Sequence, residues 1–230
     1  MLNLKTKLIV FDIDGTLTNS QMEHHAAYLA SFDQLGFKKL NEDFGSYQHY
    51  TDSGIFAEAY FNEYGKKPSK QDIKNFEQLH LEQFKDVLQI SKLTEIAGAK
   101  EFLQDLEDSE WAISFATGSF LPSAIVKLDE CNIPYKHEVL ATASDNFSRE
   151  KIVLSAIKKA SDYYRSDFNK ILAFGDGLWD YKTAKGLGLE LIGIGYGKNA
   201  EILLDNGVTL FEDFLDKEAI MQHLNNRVYK

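Results

Sequence analysis

The stretch Lys7-Leu8-Ile9-Val10-Phe11-Asp12-Ile13-Asp14-Gly15-Thr16-Leu17-Thr18 begins with an apolar run from Lys7 to Ile13, rich in Ile, Val and Phe. A run without polar alternation predicts a strand buried on both faces, as in a parallel sheet. Two carboxylates, Asp12 and Asp14, stand at its end, where ligands bind in open α/β sheets. Gly15 permits a sharp reversal that turns free backbone amides toward an anion. A calcium loop would also use Asp12, Asp14, Thr16 and Glu23. It is excluded because the loop's sixth position, which requires glycine, is Leu17, and because a strand precedes it.

Working outward, similar runs recur at Trp111–Ala116, Glu138–Ala141, Lys170–Phe174 and Glu190–Ile194, with a weaker one at Val208–Phe211. Helical patterns separate them at Lys100–Glu107, Leu121–Cys131, Glu150–Ser161, Trp179–Leu187, Ala200–Asn206 and Glu212–Asn226. This alternation predicts an α/β fold, a Rossmann-like parallel sheet with helices on both faces. Glu212, Asp213 and Asp216 are expected in a solvated N-terminal helical turn.

Residues 20–92 break the rhythm. Met22, Ala26, Leu29, Ala30 and Asp33 have helical spacing with Gly36 as a stop, Gly54–Tyr64 is a second helix closed by Gly65, and Ser69 with Asp72 forms a capping-box pattern before a third. A crossover needs only about a dozen residues, so an all-helical domain, 20–92, is expected as an insert in a core of 1–19 and 93–230. Phe56, Tyr60, Phe61 and Phe76 are expected in its apolar interior.

The chain has 230 residues, 44% hydrophobic and 26% charged, the balance of a globular protein with a sizeable core. Its formal charge of −10 disfavours nucleic acid and anionic membranes as partners. No run approaches the roughly 18 apolar residues of a membrane helix. The single cysteine, Cys131, cannot form an internal disulfide, and a cytoplasmic location is expected.

Two further strand ends carry polar chemistry. Gly175-Asp176-Gly177-Leu178-Trp179-Asp180 follows the run ending at Phe174, and Thr117-Gly118-Ser119 follows the run ending at Ala116. Hydroxyl and amides entering a helix suit phosphate. Clustered carboxylates repel by about 4 kcal/mol per pair at 4 Å and an effective dielectric near 20. A divalent cation would relieve this, and oxygen ligands suit Mg²⁺.

On these motifs, Asp12–Thr18 and Gly175–Asp180 above all, the chain resembles the haloacid dehalogenase-like phosphohydrolases along essentially its whole length. The resemblance implies that Asp12 is the nucleophile, that Asp14 exchanges the proton, and that Asp12, the Asp14 carbonyl and Asp176 hold Mg²⁺ while Asp180 orients that shell. It implies phosphate binding by Asp12, Thr117, Gly118 and a lysine opening the next helix. That lysine is expected to be Lys151, in Ser148-Arg149-Glu150-Lys151, with Lys127 on a solvent-facing helix surface. The insert corresponds to the family's helical cap, with His24, His25, Tyr47, His49, Tyr50 and Ser53 as candidate substrate contacts. For His24 and His25, exposure or cap packing is the plainer expectation. Asn19 and Lys151-Ile152 depart from the Asp and Lys-Pro that many capped relatives carry. Asp14 argues against the family's dehalogenase and phosphonate-hydrolase branches, which lack or replace it. The implied activity is Mg²⁺-dependent hydrolysis of a small phosphorylated metabolite. A sugar-phosphate mutase using the same residues is the alternative. A signalling receiver module is disfavoured by the cap and by an acidic cluster that follows the lysine.

Overall fold

The computed structural model describes residues 4–226, so the outermost residues of the expected core segments, 1–3 and 227–230, lie outside it. In chain order the elements are β1 (Lys7–Phe11), β2 (Thr18–Asn19), α1 (Gln21–Gln34), α2 (Asp52–Tyr64), α3 (Lys70–Val87), β3 (Thr94–Glu95), α4 (Ala99–Glu107) and β4 (Trp111–Ala116). They continue with α5 (Leu121–Glu130), β5 (Leu140–Ala141), α6 (Arg149–Tyr164), β6 (Lys170–Gly175), α7 (Leu178–Leu187), β7 (Glu190–Ile194), α8 (Gly197–Asp205), β8 (Thr209–Phe211) and α9 (Lys217–Asn226).

Six strands form one parallel sheet in the order β5-β4-β1-β6-β7-β8. β1, apolar and buried from Leu8 to Phe11, sits in the interior of that sheet, where both faces are covered. Phe11 is level with Phe115 on one side and Phe174 on the other. Its ring packs 5.0 Å from Phe174 and 6.4 Å from Phe102. Truncating such a buried aromatic costs about 3–5 kcal/mol, so Phe11 fixes the alignment from which the site is built. Asp12 lies one residue past this level, and Thr117 and Asp176 lie two past it. With strands about 4.8 Å apart, the three arrive at one rim.

Several boundaries differ from the sequence reading. β1 stops at Phe11: the Asp12 N–H makes the last rung, to the Phe174 carbonyl, and the Ile13 carbonyl then accepts from the tight turn that follows. The expected strand at Glu138–Ala141 shrinks to Leu140–Ala141, since residues 137–139 form a 3₁₀ turn. α8 starts three residues before the pattern, at Gly197, and α9 starts at Lys217, where Asp216 accepts from the Ala219 N–H.

The helical insert is built as its spacing predicts. Ser69 and Asp72 form a reciprocal capping box at α3, and Gly65 ends α2 in the left-handed region at φ 69°. Phe56 and Phe76 stack at 4.1 Å beside Tyr28, Phe32 and Phe44. Phe61 is instead half exposed, and Met22 faces solvent. A ribbon of β2 and β3, pairing Thr18 with Glu95 and Asn19 with Thr94, joins the two ends of the insert. Two-residue strands carry no periodicity, so the sequence pattern is silent on them.

Candidate active site

The β1 turn places both of its carboxylates. Gly15 sits at φ 80°, and a Cβ there would lie 2.4 Å from both the Asp176 carboxylate and the Gln21 amide. No side chain is tolerated, and the backbone can pass close to Asp176. Asp12 is 5% exposed and Asp176 6%, and with Asp180 they offer carboxylate oxygens within 4.8 Å of one another. Asp180 reaches back from α7, one oxygen accepting the N–H groups of Asp176 (3.2 Å) and Gly177 (3.1 Å). Asp176 accepts from Gln21 Nε2 at 2.6 Å, while its other oxygen is buried without a hydrogen-bond partner. Burial, then the neighbouring Asp180 charge, pushes Asp176 up to about 8. The same two causes raise Asp12 well above the usual carboxylate range, against the opposing charge of Arg149. An orphaned carboxylate oxygen inside an all-oxygen set fits a hard divalent cation.

Thr117 and Gly118 follow β4. Thr117 is 1% exposed, and its Oγ accepts the Ser119 N–H at 3.0 Å. A Cβ on Gly118 would lie 2.8 Å from Arg149 Nη1 and 2.9 Å from the Tyr50 carbonyl, so glycine lets the two meet over this turn. Asp12, Asp14, Thr117, Gly118 and Arg149 line one cavity of about 90 Å³, room for only a handful of waters. Asp176 and Asp180 stand behind Asp12.

The basic residues are placed differently from the sequence expectation. Lys151 is exposed and does not line the cavity. The residue that reaches the carboxylates is Arg149, whose Nη2 lies 2.9 Å from Asp12 and also donates to Asp180. The helix start explains the exchange. Ser148 caps α6 by accepting the Lys151 N–H, and residues two apart on a helix point about 200° apart. When position 149 faces the site, position 151 faces away. The usable signal was the distance from the capping serine, not the identity of the lysine.

Lys127 is the second correction. It is fully buried, on the same face of α5 as the buried Ser123 and Ala124. Its ammonium donates to Asp14 (2.6 and 2.8 Å), Ser119 Oγ (2.7 Å) and His24 Nδ1 (3.0 Å), which uses all three protons. Asp14 also accepts from Ser20 (2.6 Å) and Ser119 (2.8 Å). Burial alone would raise the Asp14 pKa, but the Lys127 charge, with the hydrogen bonds from Lys127 and Ser20, outweighs it and holds Asp14 far below the usual carboxylate range. His24 is thus a member of the site's network: accepting from Lys127 at Nδ1, it donates from Nε2 to Asp52 at 2.9 Å.

The helical insert closes the other side. The Asp52 N–H donates to the Gly118 carbonyl, and Asp52 Oδ2 accepts the Phe120 N–H, both at 2.8 Å. Tyr50 stacks on Trp179 at 4.2 Å, and burial pushes its hydroxyl up to about 12. Of the candidate contacts, His24, His25 and Tyr50 line the cavity, whereas Tyr47, His49 and Ser53 do not. Asp52, Ile55 and Phe44 line it without having been singled out.

The haloacid dehalogenase-like hydrolase family model matches residues 6–188, and the chain belongs to that family of hydrolases. Solved structures share the fold over nearly the whole chain. A hydrolase from Pseudomonas syringae aligns over 96% of this chain and 99% of its own at 20% identity, with a TM-score of 0.70. A protein provisionally designated beta-phosphoglucomutase, from Bacteroides vulgatus, aligns over 96% and 89% at 20% identity, TM-score 0.71. A predicted phosphoglycolate phosphatase from Haemophilus somnus aligns over 95% and 99% at 18% identity, TM-score 0.65. No curated protein matches.

Proposed function

We propose that the chain is an Mg²⁺-dependent phosphatase acting on small phosphate monoesters, with residues 20–92 as a cap over the core. The observation that carries this reading is the rim where Asp12, Asp176 and Asp180 converge with one orphaned carboxylate oxygen and one guanidinium. Asp12 would attack phosphorus, forming an acyl phosphate as the ester oxygen departs, and that oxygen would take a proton that the Lys127 ammonium passes through Asp14. Water would then attack the same phosphorus, losing its proton to Asp14, and Asp12 is released with inorganic phosphate. Asp14 is held for this role by Lys127, Ser119 and Ser20. Arg149, Thr117 and the Gly118 N–H would bind the phosphoryl oxygens. Mg²⁺, held by Asp12, Asp176 and the Asp14 carbonyl with Asp180 alongside, would offset the repulsion between a carboxylate and a phosphate dianion. Among the described residues no helix is long and apolar enough to cross a membrane.

Phosphate release from a panel of phosphate esters, with MgCl₂ and with EDTA, tests this. The Asp12→Asn variant should retain the far-ultraviolet circular dichroism of the native chain and lose activity by at least about 10³-fold. Turnover preserved in that variant removes Asp12 as nucleophile.

A further inference from the structure

The two ends of the cavity differ in charge. At the core end stands Arg149, the one permanent cation among the described residues that line it. At the insert end the wall is Tyr28, Phe44 and Ile55, with His25 ringed against Phe44 at 5.2 Å. The charged groups there are already committed. Lys127 spends its protons on Asp14, Ser119 and His24, and both His24 nitrogens are occupied by Lys127 and Asp52. Asp52 is a buried anion whose oxygens accept from His24 and from the Phe120 N–H. The Tyr28 hydroxyl donates to the Asp52 carbonyl and is therefore not free for a ligand.

We propose that this cavity selects phosphate monoesters of short, uncharged alcohols and rejects esters whose leaving group carries a second anion, a carboxylate or another phosphate. The proposal rests on the phosphatase reading and sharpens it to a substrate class. A second anion would sit against a largely apolar wall beside the Asp52 charge, where the described lining residues offer the His25 imidazole but no permanent cation to replace its water. The same deficit bears on the mutase alternative, because moving phosphate within a sugar passes through a bisphosphate, whose second group would occupy this end.

The test compares sn-glycerol 3-phosphate with 3-phosphoglycerate, which differ by CH₂OH against a carboxylate on the same three-carbon frame, with acetyl phosphate as a general probe. We expect kcat/KM at least about 100-fold higher for the glycerol ester. The His25→Arg variant, which puts a cation on the insert wall, should narrow that ratio at least tenfold. Equal turnover, a preference for 3-phosphoglycerate, a ratio unmoved by His25→Arg, or turnover of acetyl phosphate alone would each overturn the substrate class while leaving the phosphatase reading in place. Absence of Asp12-dependent turnover of acetyl phosphate would instead sink the phosphatase reading, and this proposal with it.

Discussion

Replacing Lys127 with Met removes the ammonium from a fully buried position while leaving its aliphatic bulk nearly filled. Asp14 then keeps two serine hydroxyls, at 2.6 and 2.8 Å, but loses the partner that balances its charge. Breaking one side of a buried pair costs about 3–5 kcal/mol, about a fifth or more of the roughly 5–15 kcal/mol that keeps a domain folded. The Asp14→Asn variant strands the ammonium and should cost a similar amount. The double variant strands neither charge, so its cost should fall about 3 kcal/mol short of the sum, at the upper end for residues in direct contact. Urea unfolding followed by circular dichroism measures all four corners of this cycle. A pH series adds a sign test. In the native chain Asp14 is held below its unfolded value near 3.9, so the pair's contribution is present above that pH and is lost on acidification. Without Lys127 the carboxyl can take a proton, so the penalty of Lys127→Met should shrink between pH 7 and pH 4. Additivity within about 0.5 kcal/mol, or a penalty that does not change with pH, would refute the assignment of Lys127 to Asp14.

His80, fully buried, has its pKa lowered to about 3, first by burial and then by the nearby His24. Its folded value lies below the unfolded value near 6.5, so its contribution is complete above pH 6.5 and fades as pH falls toward 3, by up to about 5 kcal/mol. The chain should therefore weaken between pH 6.5 and 4, and His80→Leu should flatten the stability profile over that window; an unchanged slope refutes the assignment. Arg149→Ala should lower kcat at least about 100-fold and make thermal stability respond more strongly to MgCl₂, because the carboxylates lose their fixed cation. Lys151→Ala should stay within about threefold of the native kcat, and a larger loss would restore Lys151 to the site.

The carboxylates were legible in the sequence because each stands just beyond an apolar run, and parallel pairing brings such ends to one rim. Thr117 was legible for the same reason, since register with Phe11 sets its position. The cations were not. Lys127 sits on a helix, where a charge ordinarily faces solvent, and its reason for burial is a carboxylate 113 residues away. No window of sequence carries that pairing. Arg149 is hidden by residue type, since the resemblance implies a lysine while the Ser148 cap fixes which position faces inward. His24 was read as exposed or cap-packed because its partners, Lys127 and Asp52, come from two other elements.

A charge balance would have narrowed the error. Asp12, Asp14, Asp176 and Asp180 bring four formal negative charges to one buried rim, and such groups are costly unless compensated. One lysine leaves −4 + 1 = −3, too much for a single divalent ion to cancel. Lys127 and Arg149 together leave −4 + 2 = −2, the charge that one divalent cation offsets. The orphaned oxygen of Asp176, whose carboxyl is raised to about 8 first by burial and then by the Asp180 charge, lies within this acidic cluster. The same balance accounts for the division of labour between the two cations. In the proposed mechanism Lys127 serves the carboxylate that would handle protons, and Arg149 those that would lie nearest the phosphoryl group, so deleting either would change the charge left for a divalent cation to offset.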